Sequence, residues 1–202
     1  MTAGFADATG RFLPLLRTIN AARVMTTTAD LLGMDLAEFT LLAQSDPSDA
    51  GGHTFLPYLD GERTPNLPAA TGRLDGMTRA SMTRENLARS AVLSVADSLA
   101  DCLGILRGVD MGIQRVLLIG GGAKSEVLYS VFPDTLGMPV TVLETGKYVA
   151  LSATRQEAWA AGEFPRWSRT ASRELRPSDD AGVREFRRRY GLVRRATEAE
   201  LA

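Results

Sequence analysis

The residues best suited to chemistry in this 202-residue sequence form one run, Gly120-Gly121-Gly122-Ala123-Lys124-Ser125. It follows Val116-Leu117-Leu118-Ile119, a continuous apolar stretch of the kind that forms a strand covered on both faces. A strand that ends in consecutive glycines can turn sharply and let a ligand approach its backbone. A helix starting there would offer unpaired N–H groups and a positive dipole end to a phosphate or a nucleobase edge. A tight strand-to-helix turn needs one glycine; three exceed that need and point to a ligand-facing loop. Gly120, Gly121, Gly122, Ala123, Lys124 and Ser125 are therefore the candidate nucleotide-binding residues, and none is assigned as a catalytic group or a metal ligand. Lys124 is the one cation among them, placed either to meet phosphate or to sit in solvent.

Two familiar phosphate loops are incomplete here. Glu144 falls about twenty residues beyond the glycines, where a dinucleotide fold would carry its ribose-binding acid, but Ser125 occupies the third fingerprint-glycine position. A long helix-and-loop region also precedes the unit instead of following it. The GxxxxGK[ST] spacing is absent although Lys124 follows the glycines. The residues alone thus reach a nucleotide-binding α/β unit and leave its type open. Other chemistry is constrained by scarcity. His53 is the single histidine, which excludes two-histidine sites, and Cys102 the single cysteine, which excludes an internal disulfide. Cys102 falls in an apolar helical pattern, as a small hydrophobe would. Asp60, Glu62 and Arg63 lie in a Gly/Pro-rich loop and are read as an ion pair or brace that ties the loop down.

The elements that must position the glycine run follow from periodicity. Residues 11–20 read as extended, with Pro14 against a helix interior. Residues 21–33 read as a helix stopped by Gly33, and 35–44 as a second one opened by Asp35. A long loop over 46–80 contains one apolar run, Phe55 to Leu59. The strongest helix is capped by Thr83 and carries Leu87, Ala91, Val95, Leu99, Cys102 and Leu106 at spacings of three and four. Its stripe is expected against a sheet, and its end near Gly108. Strand 116–119, a helical stretch to Leu136, strand 140–143 and a helix from about Tyr148 to Ala161 complete an α/β arrangement with a partly parallel sheet. Residues 166–202 read as a polar tail with a terminal helix near 179–195. Its Arg184, Arg187, Arg188, Arg189, Arg194 and Arg195 suggest a solvated face.

Composition is that of a globular protein, with 45% hydrophobic and 23% charged residues and a net charge of −1. No strong field draws the chain to nucleic acid or anionic membrane. No apolar stretch approaches a membrane span and residues 1–30 lack a signal-peptide pattern, so a cytoplasmic protein is expected.

Several segments together resemble the FGGY carbohydrate kinases. Gly120 to Ser125 with Leu136-Gly137-Met138-Pro139-Val140 is similar to that family's adenosine motif. Tyr148-Val149-Ala150-Leu151-Ser152-Ala153-Thr154-Arg155-Gln156 resembles the helix that follows, usually written YVALGAARQA. Phe55 to Leu59 with Asp60-Gly61-Glu62-Arg63-Thr64-Pro65-Asn66 resembles the loop of the xylulokinase branch, as do Phe5-Ala6-Asp7, Phe12 to Leu15 and Asn20 to Arg23. The resemblance spans roughly 1–165. The chain departs from the pattern at Leu128, where tryptophan is common, and at Ser130, where an amide is usual. Pro133 should kink or end its helix near Phe132, and Ser152 replaces a glycine.

The resemblance implies the C-terminal domain of the actin-like, ribonuclease H-like ATPase fold, lacking its first strands, over residues 1–202. It implies ATP and Mg²⁺ in the whole enzyme, with Gly120, Gly121 and Gly122 against the adenosine and α-phosphate. It also implies transfer of the γ-phosphate to a ketopentose such as D-xylulose, which sits mainly on a preceding domain. The catalytic aspartate and the other phosphate loops would precede this sequence. The chain by itself is expected to lack kinase activity, and unpaired strands to favour a homodimer.

Overall fold

The computed structural model describes residues 3–6, 10–45, 48–109, 112–144, 146–163 and 171–201. Strands β1 (Ala3–Ala6) and β2 (Phe12–Leu15) form an antiparallel ribbon, with Ala3 opposite Leu15 and Ala6 opposite Phe12. Helix α1 (Ala22–Leu31) buries Val24, Met25, Thr28 and Ala29, one face at spacings of one, three and four. It stops at Gly33, whose φ of 68° only glycine adopts freely. Helix α2 (Leu36–Gln44) opens on a capping box. The Asp35 carboxylate accepts from Ala37 N and Glu38 N at 2.9 and 2.8 Å, and Glu38 accepts from Asp35 N at 3.1 Å.

The long loop is built, not slack. Its first two residues, 46 and 47, lie outside the described residues. Strands β3 (Thr54–Leu56) and β4 (Arg73–Asp75) pair antiparallel within it. Glu62 is its brace: the buried carboxylate accepts from Ile19 N at 2.8 Å, Arg63 N at 2.7 Å and Asn20 Nδ2 at 3.1 Å. Asn20 also donates to Gly61 O at 2.6 Å and accepts from Leu59 N at 3.1 Å. Asp60 and Arg63 are exposed, so the bracing expected of the trio falls to Glu62. His53 is buried, with its Nε2 3.1 Å from Ser81 Oγ, a hydroxyl also tied to Thr78. The one histidine thus belongs to the loop's packing.

Helix α3 (Arg84–Gly108) starts where Thr83 accepts from Asn86 N at 3.2 Å. It differs from the amphipathic helix expected. Every residue from Ala88 to Ser98 is buried, so there is no single apolar stripe in that stretch. Small residues (Ala88, Ser90, Ala91, Ser94, Ala96, Ser98) let other elements approach it on all sides. It packs against α1, α2, strand β3 and the helices that follow it, and its last turns face a sheet at the strand Val116–Leu118.

That sheet has the order β5 (Val116–Leu118), β6 (Val140–Leu143), β7 (Ala171–Leu175). β5 runs parallel to β6, Val116 opposite Val140, and β7 is antiparallel on the far side. Among the described residues β5 therefore forms an open edge. Between the strands the chain makes two short helices, α4 (Glu126–Tyr129) and α5 (Phe132–Leu136). The break falls at Ser130-Val131, and Pro133 sits in the first turn of α5, where its missing N–H costs nothing. The interruption expected at Pro133 is present; the proline opens the new helix instead of ending the old one.

Helix α6 (Tyr148–Ala160) buries none of its side chains among the described residues, and Val149 is 84% exposed. Helix α7 (Ala181–Leu201) extends past the expected 195 and buries Val183, Phe186, Tyr190 and Thr197. Arg184, Arg188 and Arg195 are exposed, as the solvated-face reading expects, whereas Arg187, Arg189 and Arg194 depart from it. Arg187 bonds the fully buried Asp97 at 2.9 Å and Asp101 at 2.8 Å; Arg194 reaches Asp101 at 3.0 Å and Glu198 at 2.6 Å. Arg189 donates to Asp49 O at 2.6 Å. A carboxylate withdrawn from water needs such partners, which sequence periodicity does not reveal. Burial raises the Asp97 pKa to about 7 against the pull of Arg187. Burial alone would lower the Arg187 pKa, but the two aspartate charges outweigh it and keep the guanidinium protonated. The start of α7 is fastened to α5 by Asp134, which accepts from the amides of Ser178, Asp179 and Asp180 at 3.0, 2.7 and 3.2 Å.

Candidate functional site: the glycine turn and its groove

The parallel pair β5–β6 delivers the glycine run to one end of the sheet. Ile119 leaves β5 half-exposed, Gly120 makes the corner, and Gly121–Lys124 form a single 3₁₀ turn. Ser125 is extended (φ −86°, ψ 106°), and only then does α4 begin. The six candidate residues are thus contiguous at one loop. Ala123 is buried as the anchor, Lys124 exposed and Ser125 half-buried.

The three glycines differ in what the fold asks of them. Gly120 has φ 86° and ψ −161°, a region that only glycine populates. Gly121 and Gly122 have no positive φ. A Cβ built on Gly121 meets nothing within 4 Å, and one on Gly122 meets only Leu128 Cδ1 at 3.9 Å. Two of the three therefore stand in open space with no torsional or packing need for glycine.

The source of the site's polarity also differs from expectation. A long helix does not start here: α4 has four residues, so its dipole is slight. The unpaired donors at this corner are instead amides of the turn itself. Its carbonyls are engaged, with Gly120 O accepting from Ala123 N, Gly122 O from Ser125 N, and Ser125 O from Tyr129 N, each at 3.2 Å. The first amides of the turn, at Gly121 and Gly122, have no acceptor within it.

Beside the turn lies an open groove of about 530 Å³ lined by Ile119, Tyr148, Val149, Ser152, Ala153 and Gln156. Its size suits a nucleoside, and its lining is mostly apolar with a few polar ends. These α6 residues were not among the sequence candidates. The signal for them was the exposed apolar run Tyr148 to Ala153 following a strand, which periodicity reads as an ordinary helix. Ser152, a departure from the YVALGAARQA pattern, lies in the groove wall. Leu128 is buried beneath Gly122, and Ser130 turns its hydroxyl to Val127 O at 2.8 Å, away from any ligand role. Glu144 is exposed at the end of β6.

A second, apolar groove of about 300 Å³ separates the last turns of α3 from β5, with Leu99, Cys102, Leu103 and Leu106 facing Val116 to Ile119. Burial pushes the Cys102 thiol up to about 11, which suits a packing residue better than a nucleophile.

Xylulose kinase from Haemophilus influenzae is 34% identical over 163 residues, which are 81% of this chain and 33% of the relative. Xylulose kinase from Streptomyces coelicolor is 37% identical over 176 residues, covering 84% of this chain and 35% of the relative. The crystal structure of xylulose kinase from Bifidobacterium adolescentis superposes with a TM-score of 0.85 at 44% identity, over 96% of this chain and 38% of that one. The chain spans about a third of the length of the curated relatives it matches. Those relatives displace the dinucleotide-binding alternative, and the architecture is that of the actin-like ATPase fold. With residues 4–161 matching the C-terminal domain of the FGGY family of carbohydrate kinases, the chain belongs to that family.

Proposed function

We propose that this chain is the ATP-binding part of a sugar kinase that transfers the γ-phosphate of ATP to D-xylulose, forming xylulose 5-phosphate. The observation that carries it is the pair Gly121 and Gly122, glycines the fold does not require, whose amides have no partner in their turn beside an open groove. In this role the turn amides hold the α-phosphate, Gly120 to Ser125 form the edge of the site, and α6 covers the nucleoside. Phosphoryl transfer depends mostly on positioning and charge stabilisation, so a rigid donor site is a large part of the catalyst. The xylulose kinase names of the relatives support the sugar class.

ATP fits the turn and groove. Mg²⁺ in phosphoryl transfer is held by one or two carboxylates with the substrate phosphates and water; among the described residues no group of three or more His, Cys, Asp or Glu side chains forms a metal site by itself. No step is therefore assigned to it. The groove wall carries no carboxylate to serve as a base. Alone, the 202-residue chain is expected to bind nucleotide without phosphorylating sugar.

Joining the chain to the remainder of the Streptomyces coelicolor relative tests the assignment. ADP formation that depends on D-xylulose is expected from the hybrid and not from the chain alone. An inactive hybrid whose 202-residue part still binds ADP would make this a non-catalytic nucleotide module. Failure of the chain to bind ADP would remove the site itself.

The unpaired β5 edge and the apolar groove beside it support a homodimer formed by β5 pairing with its copy, as exposed strand edges tend to do. A monomer by light scattering at high concentration would refute it. Residues 1–202 act as one unit, because α7 supplies buried side chains to the common core. No helix among the described residues is long and apolar enough to cross a membrane. Use of ATP supports a cytoplasmic location, which cell fractionation checks.

A further inference from the structure

Tyr129, at the end of α4, is half-buried, and its hydroxyl donates to Ala123 O. The guanidinium of Arg173 lies over its ring, 5.8 Å from the centroid, within cation–π range. Arg173 comes from β7, on the strand face that also carries the buried Leu175. The other engaged carbonyls of the glycine turn are held by backbone amides. Ala123 O is held by a side chain.

That distinction has a physical consequence. Three successive glycines give the chain preceding Ala123 wide conformational freedom, so the turn does not fix its own peptide planes. A flip of the 120–121 or 121–122 peptide, whose torsions belong to glycines alone, would swing its carbonyl outward and the Gly121 or Gly122 amide inward. A carbonyl dipole would then face whatever anion the amides otherwise attract. The Tyr129 hydroxyl opposes such flips by fixing Ala123 O, and with it the peptide plane in which the glycine run ends.

We propose that Tyr129, held beneath Arg173, is a positioning residue that keeps the peptide planes of the glycine turn aligned, amides outward, for the phosphate of a bound nucleotide. The inference rests on the nucleotide reading of the turn, so it is tested at two levels. In the ligand-free chain, Tyr129→Phe keeps the ring and removes the hydrogen bond. Amide exchange and resonance positions of Gly121, Gly122 and Lys124 should change, while the melting temperature moves little. In titrations, the variant should bind ADP and AMP about 5- to 10-fold more weakly, the range expected for one lost hydrogen bond. Adenosine, which has no phosphate, should bind as before. Arg173→Ala should weaken ADP in the same direction by about 2- to 4-fold.

Unchanged turn amides in Tyr129→Phe would overturn the positioning role. Equal losses for ADP and adenosine would assign Tyr129 to general packing and overturn it as well. Changed amides in a chain that, unmodified, binds no ADP would instead overturn the nucleotide assignment, leaving Tyr129 as the anchor of a turn with another purpose.

Discussion

Replacing the three glycines by alanine, one at a time, separates what the backbone demands from what a ligand demands. Gly120 sits at φ 86° and ψ −161°, a conformation that costs a residue bearing Cβ about 1–3 kcal/mol. In a protein of this size each kcal/mol moves the melting temperature by roughly 2–4 °C, so Gly120→Ala should melt roughly 3–10 °C lower. Gly121 and Gly122 have no positive φ, and a methyl at Gly122 would come no nearer than 3.9 Å to its closest neighbour, Leu128 Cδ1. At such sites alanine narrows the unfolded ensemble and stabilises by up to about 1 kcal/mol. Gly121→Ala and Gly122→Ala should therefore melt at the wild-type temperature or slightly above. Their methyls, however, enter the space a nucleotide would use. A tenfold or greater loss of ADP affinity, about 1.4 kcal/mol, is expected for each. Thermal denaturation and isothermal titration on the four proteins give both readouts. If Gly121→Ala and Gly122→Ala lose as much stability as Gly120→Ala and keep their ADP affinity, the glycines serve the fold alone and the site assignment fails.

Three further predictions concern the supports of the site. Burial lifts the Asp97 pKa from 3.8 to about 7, so its stabilising proton is held fully below about pH 4 and lost as pH rises through 7. The wild type should thus lose about 2–4 kcal/mol relative to Asp97→Asn over that range, seen as diverging melting curves at pH 5 and 8; parallel profiles would refute it. Arg187→Met leaves Asp97 buried without its 2.9 Å partner; a loss of about 3–5 kcal/mol at pH 8 is expected, much of it regained in the double variant with Asp97→Asn. Glu62→Gln exchanges a carboxylate accepting three bonds of 3.1 Å or less for a neutral amide. It should cost about 2–4 kcal/mol in denaturant unfolding, and a change below about 0.5 kcal/mol would deny Glu62 its bracing role.

The parts of the fold legible in sequence were those with local causes. Asp35 with Glu38, Thr83 and Gly33 mark helix ends by chemistry confined to a few residues, and the structure places those ends accordingly. The run Val116 to Ile119 and the glycines after it were legible for the same reason. What escaped depended on distant partners. Asp97 and Arg187 are ninety residues apart, and neither the burial of one nor the pairing of the other shows in its own neighbourhood. The encirclement of α3 was hidden because its alanines and serines, weakly hydrophobic, gain their places by being small. The groove wall on α6 was missed because an exposed apolar helix and a core helix share one periodicity. At the glycine turn, sequence identified the loop but credited a helix dipole. Ser125 and the break before Pro133 leave only a four-residue helix there, so the donors at this corner are those of the turn itself.

Helix α7 begins some twenty residues after the stretch that matches the family's domain, yet Phe186 and Tyr190 are fully buried and Arg187 pairs with Asp97, a carboxylate buried in the core. The match to the family's domain and the packing that holds that domain together thus extend over different lengths of this polypeptide. A shortened version ending at residue 161, where the family match ends, would keep every residue of the glycine turn and lose the lid over its central helix. Asp97 and Asp101 would be left facing a vacated wall, and the glycine turn would remain complete in sequence on a scaffold unable to hold its shape.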